Sequence, residues 1–215
     1  MRTEDMAHMV ASTYDRFGTS YEPWAGAVRP AFRDVFVDKL TANLDRGHVL
    51  ELGCGPGVPV GRLLVARYEY TGIDVSHEFV ELARSNLPGA SLIEADMTAI
   101  EFASDSFDAI CAFHSIIHVP REEHSGLFGR IASWLRPGGW FVASLGARDT
   151  PGDIEEKWLG KGPMFFSHFD ADTNLEMLRD AGFLIHEAEV LAQYEGRHRV
   201  EFLWVLARRE RNGTA

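Results

Sequence analysis

The chain has 215 residues, 46% of them hydrophobic, and a formal net charge of −11. That is enough apolar sequence for one sizeable core and short for two domains, while the negative balance argues against a protein that works on phosphate backbones, which calls for a basic footprint. The two cysteines, Cys54 and Cys111, stand outside any CxxC or Cys/His spacing, so neither a disulfide framework nor a structural zinc is expected, and the implied compartment is reducing.

The first residues, "MRTEDMAHMVASTYDRFG", scatter charge through a stretch with no apolar h-region, and no later run is apolar for long enough to span a bilayer. A cytoplasmic protein away from membranes is expected. From Thr3 to Leu44 the apolar spacing predicts two helical pieces, broken near "GTSYEPWAG". Between Gly47 and Ser144 short β-branched or aromatic runs, "HVLEL", "YEYTGIDV", "ASLIEA", "FDAICAF" and "WFVASL", alternate with helical segments such as "HEFVELARSNL" and "HSGLFGRIASWL". Such alternation predicts an α/β fold with a parallel sheet.

An irregular, aromatic-rich stretch follows, "GARDTPGDIEEKWLGKGPMFFSHF", and then a helix, "DTNLEMLRDAG", with Gly182 as its left-handed stop. Two long strand candidates, "FLIHEAEVLAQYE" and "RHRVEFLWVLARR", separated by Gly196, close the chain, and the basic end "ARRERNG" is expected to fray. The expected organisation is one domain: a helical cover (1–46), a core (47–144), an insertion (145–170), and a closing helix with strands (171–208).

Three places carry chemistry. In "VLELGCGPGVPVG" Gly53, Gly55 and Gly57 follow the first strand and precede a helix beginning near Val58 or Pro59, the geometry in which bare backbone meets a ligand at a helix N-terminus. A dinucleotide loop wants glycine at the sixth place, which here is Val58. Asp74, in "GIDVS", lies about seventeen residues past Gly57, where a carboxylate accepts the hydroxyls of an adenosine ribose. In "EADM", Asp96 and Met97 close the third strand, an acid for an adenine amino group and a soft side chain to flank its ring. Alone, Asp74 reads equally as a helix cap, Asp96 as a surface carboxylate and Cys54 as a small filler.

Five stretches in order, "VLELGCGPG", "GIDVS", "EADM", "FDAICAFHSIIHVP" and "LRPGGWFVAS", spanning residues 49–144, resemble the class I S-adenosylmethionine-dependent methyltransferases, in particular the small-molecule branch. The resemblance implies a Rossmann-like, seven-stranded, mostly parallel sheet with helices on both faces and the last strand antiparallel. It implies S-adenosylmethionine as cofactor, with Glu51 and the glycine loop at its methionine end, Asp74 at the ribose, Asp96 and Met97 at the adenine, and Val75 and Phe113 in contact. Tyr14 and Tyr21 resemble N-terminal tyrosines that fold over the cofactor, although aromatic residues in helices are also plain core.

Trp158, Phe165, Phe166 and Phe169 crowd the insertion and Trp24 lies in the cover, so an apolar or aromatic acceptor is expected there, unless these rings only anchor the loop. His168, in "FFSHFD", is the candidate general base, unless it only bonds a backbone carbonyl within its loop. His114, directly after the fourth strand, is the second candidate base, expected rather to orient the acceptor or pack beside the methyl donor, and His118, in "IIHVP", is assigned to the acceptor side or to structure. A metal held by His114, His118 and His124 is not expected, because they straddle a strand end and a loop. The expected activity is O-methylation of a small organic molecule, with N-methylation of an amine as the alternative and a non-catalytic cofactor-binding subunit as the reading from another class. Nucleic acid is disfavoured by charge and by "FHSI" standing where an Asn-Pro-Pro-aromatic motif would be. A monomer or homodimer is expected.

Overall fold

The computed structural model of the chain describes residues 3–28, 32–195 and 198–211. The predicted break at Gly196 and the end of the basic tail lie outside the described residues. Helix α1 (Thr3–Phe17) stops where Gly18 takes φ +47 and a short 3-10 turn follows. Helices α2 (Tyr21–Val28) and α3 (Phe32–Asn43) complete the cover. The expected two pieces are therefore three helices, because the "GTSYEPWAG" stretch breaks the chain only at its glycine end and coils again from Tyr21.

The core alternates as predicted: β1 (His48–Leu52), α4 (Val60–Val65), β2 (Glu69–Asp74), α5 (His77–Asn86), β3 (Ser91–Glu94), β4 (Phe107–Phe113), α6 (His124–Trp134) and β5 (Leu135–Gly146). Strands β1 and β4 are almost wholly buried, as strands covered on both faces must be, which is why they read as continuous apolar runs rather than alternating ones. The segment expected to be irregular is instead a hairpin, β6 (Thr150–Trp158) and β7 (Gly162–His168), turning at Leu159 and Gly160, both at positive φ. Its charged outer strand, "DIEEKW", is solvent-facing along most of its length, and that polarity hides the strand from a hydrophobicity reading. Helix α7 (Ala171–Asp180) is capped by Asp170, whose carboxylate accepts from the Thr173 N–H, and leads to β8 (Phe183–Glu195) and β9 (His198–Arg209).

The seven-stranded sheet runs in the order β3-β2-β1-β4-β5-β9-β8, with β9 antiparallel to β5 and to β8 and the remaining neighbours parallel. One face packs Leu127, Phe128, Ile131 and Trp134 of α6 with Leu178 of α7; the other packs Phe36 and Leu40 of α3 with Val60 and Leu64 of α4 and Trp204 of β9. Strand order reverses between β1 and β4, so the crevice that binds ligands in such sheets opens at their carboxyl ends. Among the described residues no helix is long and apolar enough to cross a membrane.

Helix α1 lies across that end of the sheet as a fastened strap. Asp15 Oδ1 accepts from Ser76 Oγ at 2.6 Å and from the Glu78 N–H at 3.1 Å. Thr13 Oγ1 donates to the Pro163 carbonyl of the hairpin at 2.7 Å, and Tyr14 Oη is 2.9 Å from His118 Nε2. Met6, Val10, Tyr14 and Phe17 are its buried face, packed with Phe79, Trp158, Met164 and Phe165.

Candidate active site

The crevice is a cleft of about 720 Å³, its open mouth included, beneath α1. Thr3, Ala7, Val10 and Tyr14 roof it, and Tyr21, Gly53, Asp74, Val75, Asp96, Met97, Phe113, His114 and His118 line it, with Phe79, Thr98 and Ser115 among those the sequence reading missed. Ser115 carries no periodic signal; its position becomes meaningful only against Gly53.

All three glycines of the loop hold positive φ, +75 at Gly53, +55 at Gly55 and +78 at Gly57, which side chains rarely adopt. Their purposes differ. A Cβ on Gly53 would stand 2.3 Å from Ser115 Cβ, on the cleft wall, whereas one on Gly57 would meet Leu87 Cδ1 at 2.7 Å. Only Gly53 lines the cleft; Gly57 lets α5 and the loop close together, and Gly55 turns its N–H onto Asp74. Gly53→Ala is expected to lower unfolding stability by roughly 2 to 4 kcal/mol, joining the cost of positive φ to that of overpacking. Urea denaturation checks this; a loss under about 0.5 kcal/mol would show that Ser115 yields freely.

Asp74, at the end of β2, is 7% exposed. Its Oδ2 accepts from the Gly55 N–H at 2.8 Å and its Oδ1 from the Ser76 N–H at 2.9 Å, so the carboxylate is aimed by backbone while each oxygen keeps a second lone pair. Burial outweighs those bonds and pushes its pKa up to about 6. Asp96 Oδ1 accepts from both the N–H and the hydroxyl of Thr98, at 2.7 and 2.8 Å, which fixes the acid in a tight turn on the cleft wall.

Glu51 stands apart from the expectation. It is 3% exposed, does not line the cleft, and accepts a 2.6 Å bond from Tyr70 Oη. Burial pushes its pKa up to about 8, and β1 turns this side chain to the interior face where Tyr70 waits, so here it stands behind the cleft wall rather than on it.

The histidines divide by environment. His114 sits at φ +55 directly after β4, with its N–H on Ser144 Oγ at 2.8 Å and its ring edge-on to Phe202 and Trp204. His118 has Nδ1 2.8 Å from the Phe165 carbonyl, to which it must donate, so Nε2 is the acceptor for the Tyr14 hydroxyl. Buried His124 donates to the Val119 carbonyl, and burial drops its pKa to about 4. Among the described residues no three His, Cys, Asp or Glu side chains group as a metal set.

A second cavity, about 1180 Å³ with its open mouth, lies between the hairpin and the start of β9. Trp158, Phe166 and Phe202 line it with Arg148, His168, Arg199 and Glu201, and His118 lines both cavities. His168 Nδ1 donates to the Arg148 carbonyl at 2.7 Å. Gly146, at the end of β5, makes room for that ring: a Cβ there would stand 2.2 Å from His168 Nδ1. Two of the predicted acceptor residues are elsewhere. Trp24 packs on Phe17, Tyr21 and Trp158, and Phe165 is buried under α1, and neither lines either of these two cavities. They secure the cover, because large rings on facing surfaces of α1, α2 and the hairpin bury one another before any ligand can reach them.

A methyltransferase-domain family model matches residues 49–139. An uncharacterised methyltransferase of Schizosaccharomyces pombe is 30% identical over 188 residues, covering 74% of this chain and 70% of that protein. A phosphoethanolamine N-methyltransferase of Triticum aestivum is 35% identical over 158 residues, 69% of this chain but only 30% of the wheat protein, so the match spans under a third of that relative. Among solved structures, the 1,6-didemethyltoxoflavin N1-methyltransferase of Burkholderia thailandensis, with its acceptor and S-adenosylhomocysteine bound, superposes with a TM-score of 0.73 at 19% identity, covering 98% of this chain and 91% of that one. That likeness is one of fold.

Proposed function

This chain belongs to the class I S-adenosylmethionine-dependent methyltransferases, and from that premise we propose that it methylates a hydroxyl of a small, aromatic or largely apolar acceptor seated in the second cavity, with His168 as general base. The observation that carries the reading is the meeting of the two cavities at His118: one has the fittings for an adenosyl nucleoside, the other an aromatic wall. The cleft suits the cofactor, since it joins an aimed, buried carboxylate at Asp74 to bare backbone at Gly53. Asp74 would take the ribose hydroxyls, Asp96 and Met97 the adenine, and Tyr14 and Tyr21 the covering side. When bound, S-adenosylmethionine supplies an electrophilic methyl on a sulfonium.

The remaining work is positioning and one proton. His118, with both ring nitrogens engaged, holds the shared wall and is not a base. His168 differs: its Nδ1–H is held by the Arg148 carbonyl, which makes Nε2 the accepting nitrogen of the neutral ring, and burial holds its pKa below the ordinary imidazole value. Neutral at pH 7, it is ready to accept the hydroxyl proton as the acceptor oxygen attacks. N-methylation stays the second reading, favoured by the N-methyltransferases among the relatives and needing the same in-line geometry with less demand for a base.

The test is to incubate the protein with methyl-labelled cofactor and matched panels of phenols and aromatic amines, then identify products by mass spectrometry. Methyl ethers support the reading; products methylated solely on nitrogen sink the hydroxyl assignment. Binding of S-adenosylhomocysteine without product from any panel would favour a non-catalytic subunit.

Cofactor affinity should also follow pH. The Asp74 acceptor role needs the carboxylate, and with a pKa near 6 it is mostly ionised at pH 7 and mostly protonated at pH 5. The dissociation constant for S-adenosylhomocysteine is expected to rise about tenfold between those values, as linkage requires. A flat calorimetric profile would remove Asp74 from the binding site.

A further inference from the structure

The second cavity carries a charge arrangement that its aromatic wall does not call for. Glu201 Oε2 accepts from Arg148 Nη2 at 2.8 Å and Nε at 3.2 Å, and Glu201 Oε1 accepts from Arg199 Nη1 at 2.7 Å. One carboxylate thus holds two guanidiniums side by side at the cavity edge, leaving one positive charge in excess and several N–H donors uncommitted. Exposed pairs of this kind add little to stability, and both arginine side chains are at least half exposed. Their fixed separation suits recognition better than folding.

We propose that the methyl acceptor bears an anionic group, a carboxylate, sulfonate or phosphate, which docks on Arg148 and Arg199 while its aromatic body lies against Trp158, Phe166 and Phe202. The inference rests on the reading of this cavity as the acceptor site. Guanidiniums suit such anions through bidentate donors. Arg148 serves twice, because its backbone carbonyl orients the His168 ring, so the anion anchor and the proton acceptor share one residue and lie a short reach apart. Two other carboxylates line the cavity. Glu155 lies five residues along β6 from Thr150, roughly 17 Å of extended strand, and repels an anion from that side. Glu195 accepts from Gln193 Nε2 at 3.0 Å. With Glu201 they set three carboxylates against two guanidiniums along the lining, so the excess of positive charge is local to the arginine edge, and an anionic group is steered to that edge and away from the rest of the cavity.

The test uses two fluorescent probes with one ring system, anilinonaphthalene sulfonate and the uncharged N-phenylnaphthylamine, titrated into the protein at saturating S-adenosylhomocysteine. The sulfonate should bind at least tenfold more tightly. Arg148→Gln with Arg199→Gln should remove that preference, leaving the neutral probe within twofold and S-adenosylhomocysteine affinity unchanged, the latter also reporting intact folding. Phe166→Ala should weaken both probes. Equal affinity of the two probes, or a sulfonate preference that survives loss of both guanidiniums, overturns the proposal. Because neither readout depends on methyl transfer, the anion site can fail while the methyltransferase reading stands, and the reverse.

Discussion

Asp74→Ala is expected to weaken S-adenosylhomocysteine binding by tenfold to a hundredfold. A hydrogen bond to a charged acceptor is worth about 1.5 to 3 kcal/mol, and two ribose hydroxyls would share this carboxylate. The substitution also strips the Gly55 and Ser76 N–H groups of their acceptor, so the glycine loop and the start of α5 lose their common anchor and the apo protein should melt lower. The two effects separate by calorimetric titration alongside thermal unfolding without ligand. Asp74→Asn sharpens the comparison: it preserves one accepting oxygen but turns an NH2 toward a backbone N–H, so it should fall between wild type and alanine in affinity. A dissociation constant within twofold of wild type for Asp74→Ala would remove the ribose role.

The second large effect falls on catalysis. On a hydroxyl acceptor identified as above, His168→Ala should lower kcat about a hundredfold or more, the scale of a lost general base, with S-adenosylhomocysteine affinity unchanged. The wild-type rate should fall as pH drops through the imidazole pKa, which burial has lowered, and the variant should lack that acidic limb. Gly146→Ala offers an independent route, since its new Cβ would occupy the place of the ring; it should cost a comparable factor although the histidine remains in the sequence. If turnover of His168→Ala stays within a few-fold and keeps its acidic limb, the base lies elsewhere, with His114 the next candidate or an amine the true acceptor.

The sequence made legible whatever depends on local backbone rules. Gly53 and Gly57 are demanded by positive φ together with close approach, and Asp74 is marked by its place at a strand end, so the loop, the carboxylate and the strand–helix alternation could be read in one pass. What escaped depends on the partner. Glu51 carries the family motif, yet only the register of β1 on β2, which sets Glu51 beside Gly72 and within reach of Tyr70, tells that it faces inward. Trp24 and Phe165 were read as acceptor wall because they are aromatic and near the right segment, but composition does not say which face of a ring is left open. The hairpin was hidden by its own exposure. Arg148 stands some fifty residues before Arg199 and Glu201, which are neighbours but one on β9, and joins them only through the antiparallel pairing of β5 and β9.

The fastening of α1 has a kinetic consequence. Part of the cleft roof is made of Thr3, Ala7, Val10 and Tyr14, so passage of a nucleoside across that side requires the helix to lift. Lifting must release the Asp15, Tyr14 and Thr13 bonds, each worth about 1 kcal/mol net, and expose the apolar side chains beneath. A nucleoside held beneath the strap would therefore leave more slowly the better α1 is fastened, and weakening these bonds should shorten its residence. Since Tyr14 leans on His118, and His118 on the hairpin carbonyl of Phe165, lifting the strap would also slacken the wall that the two cavities share.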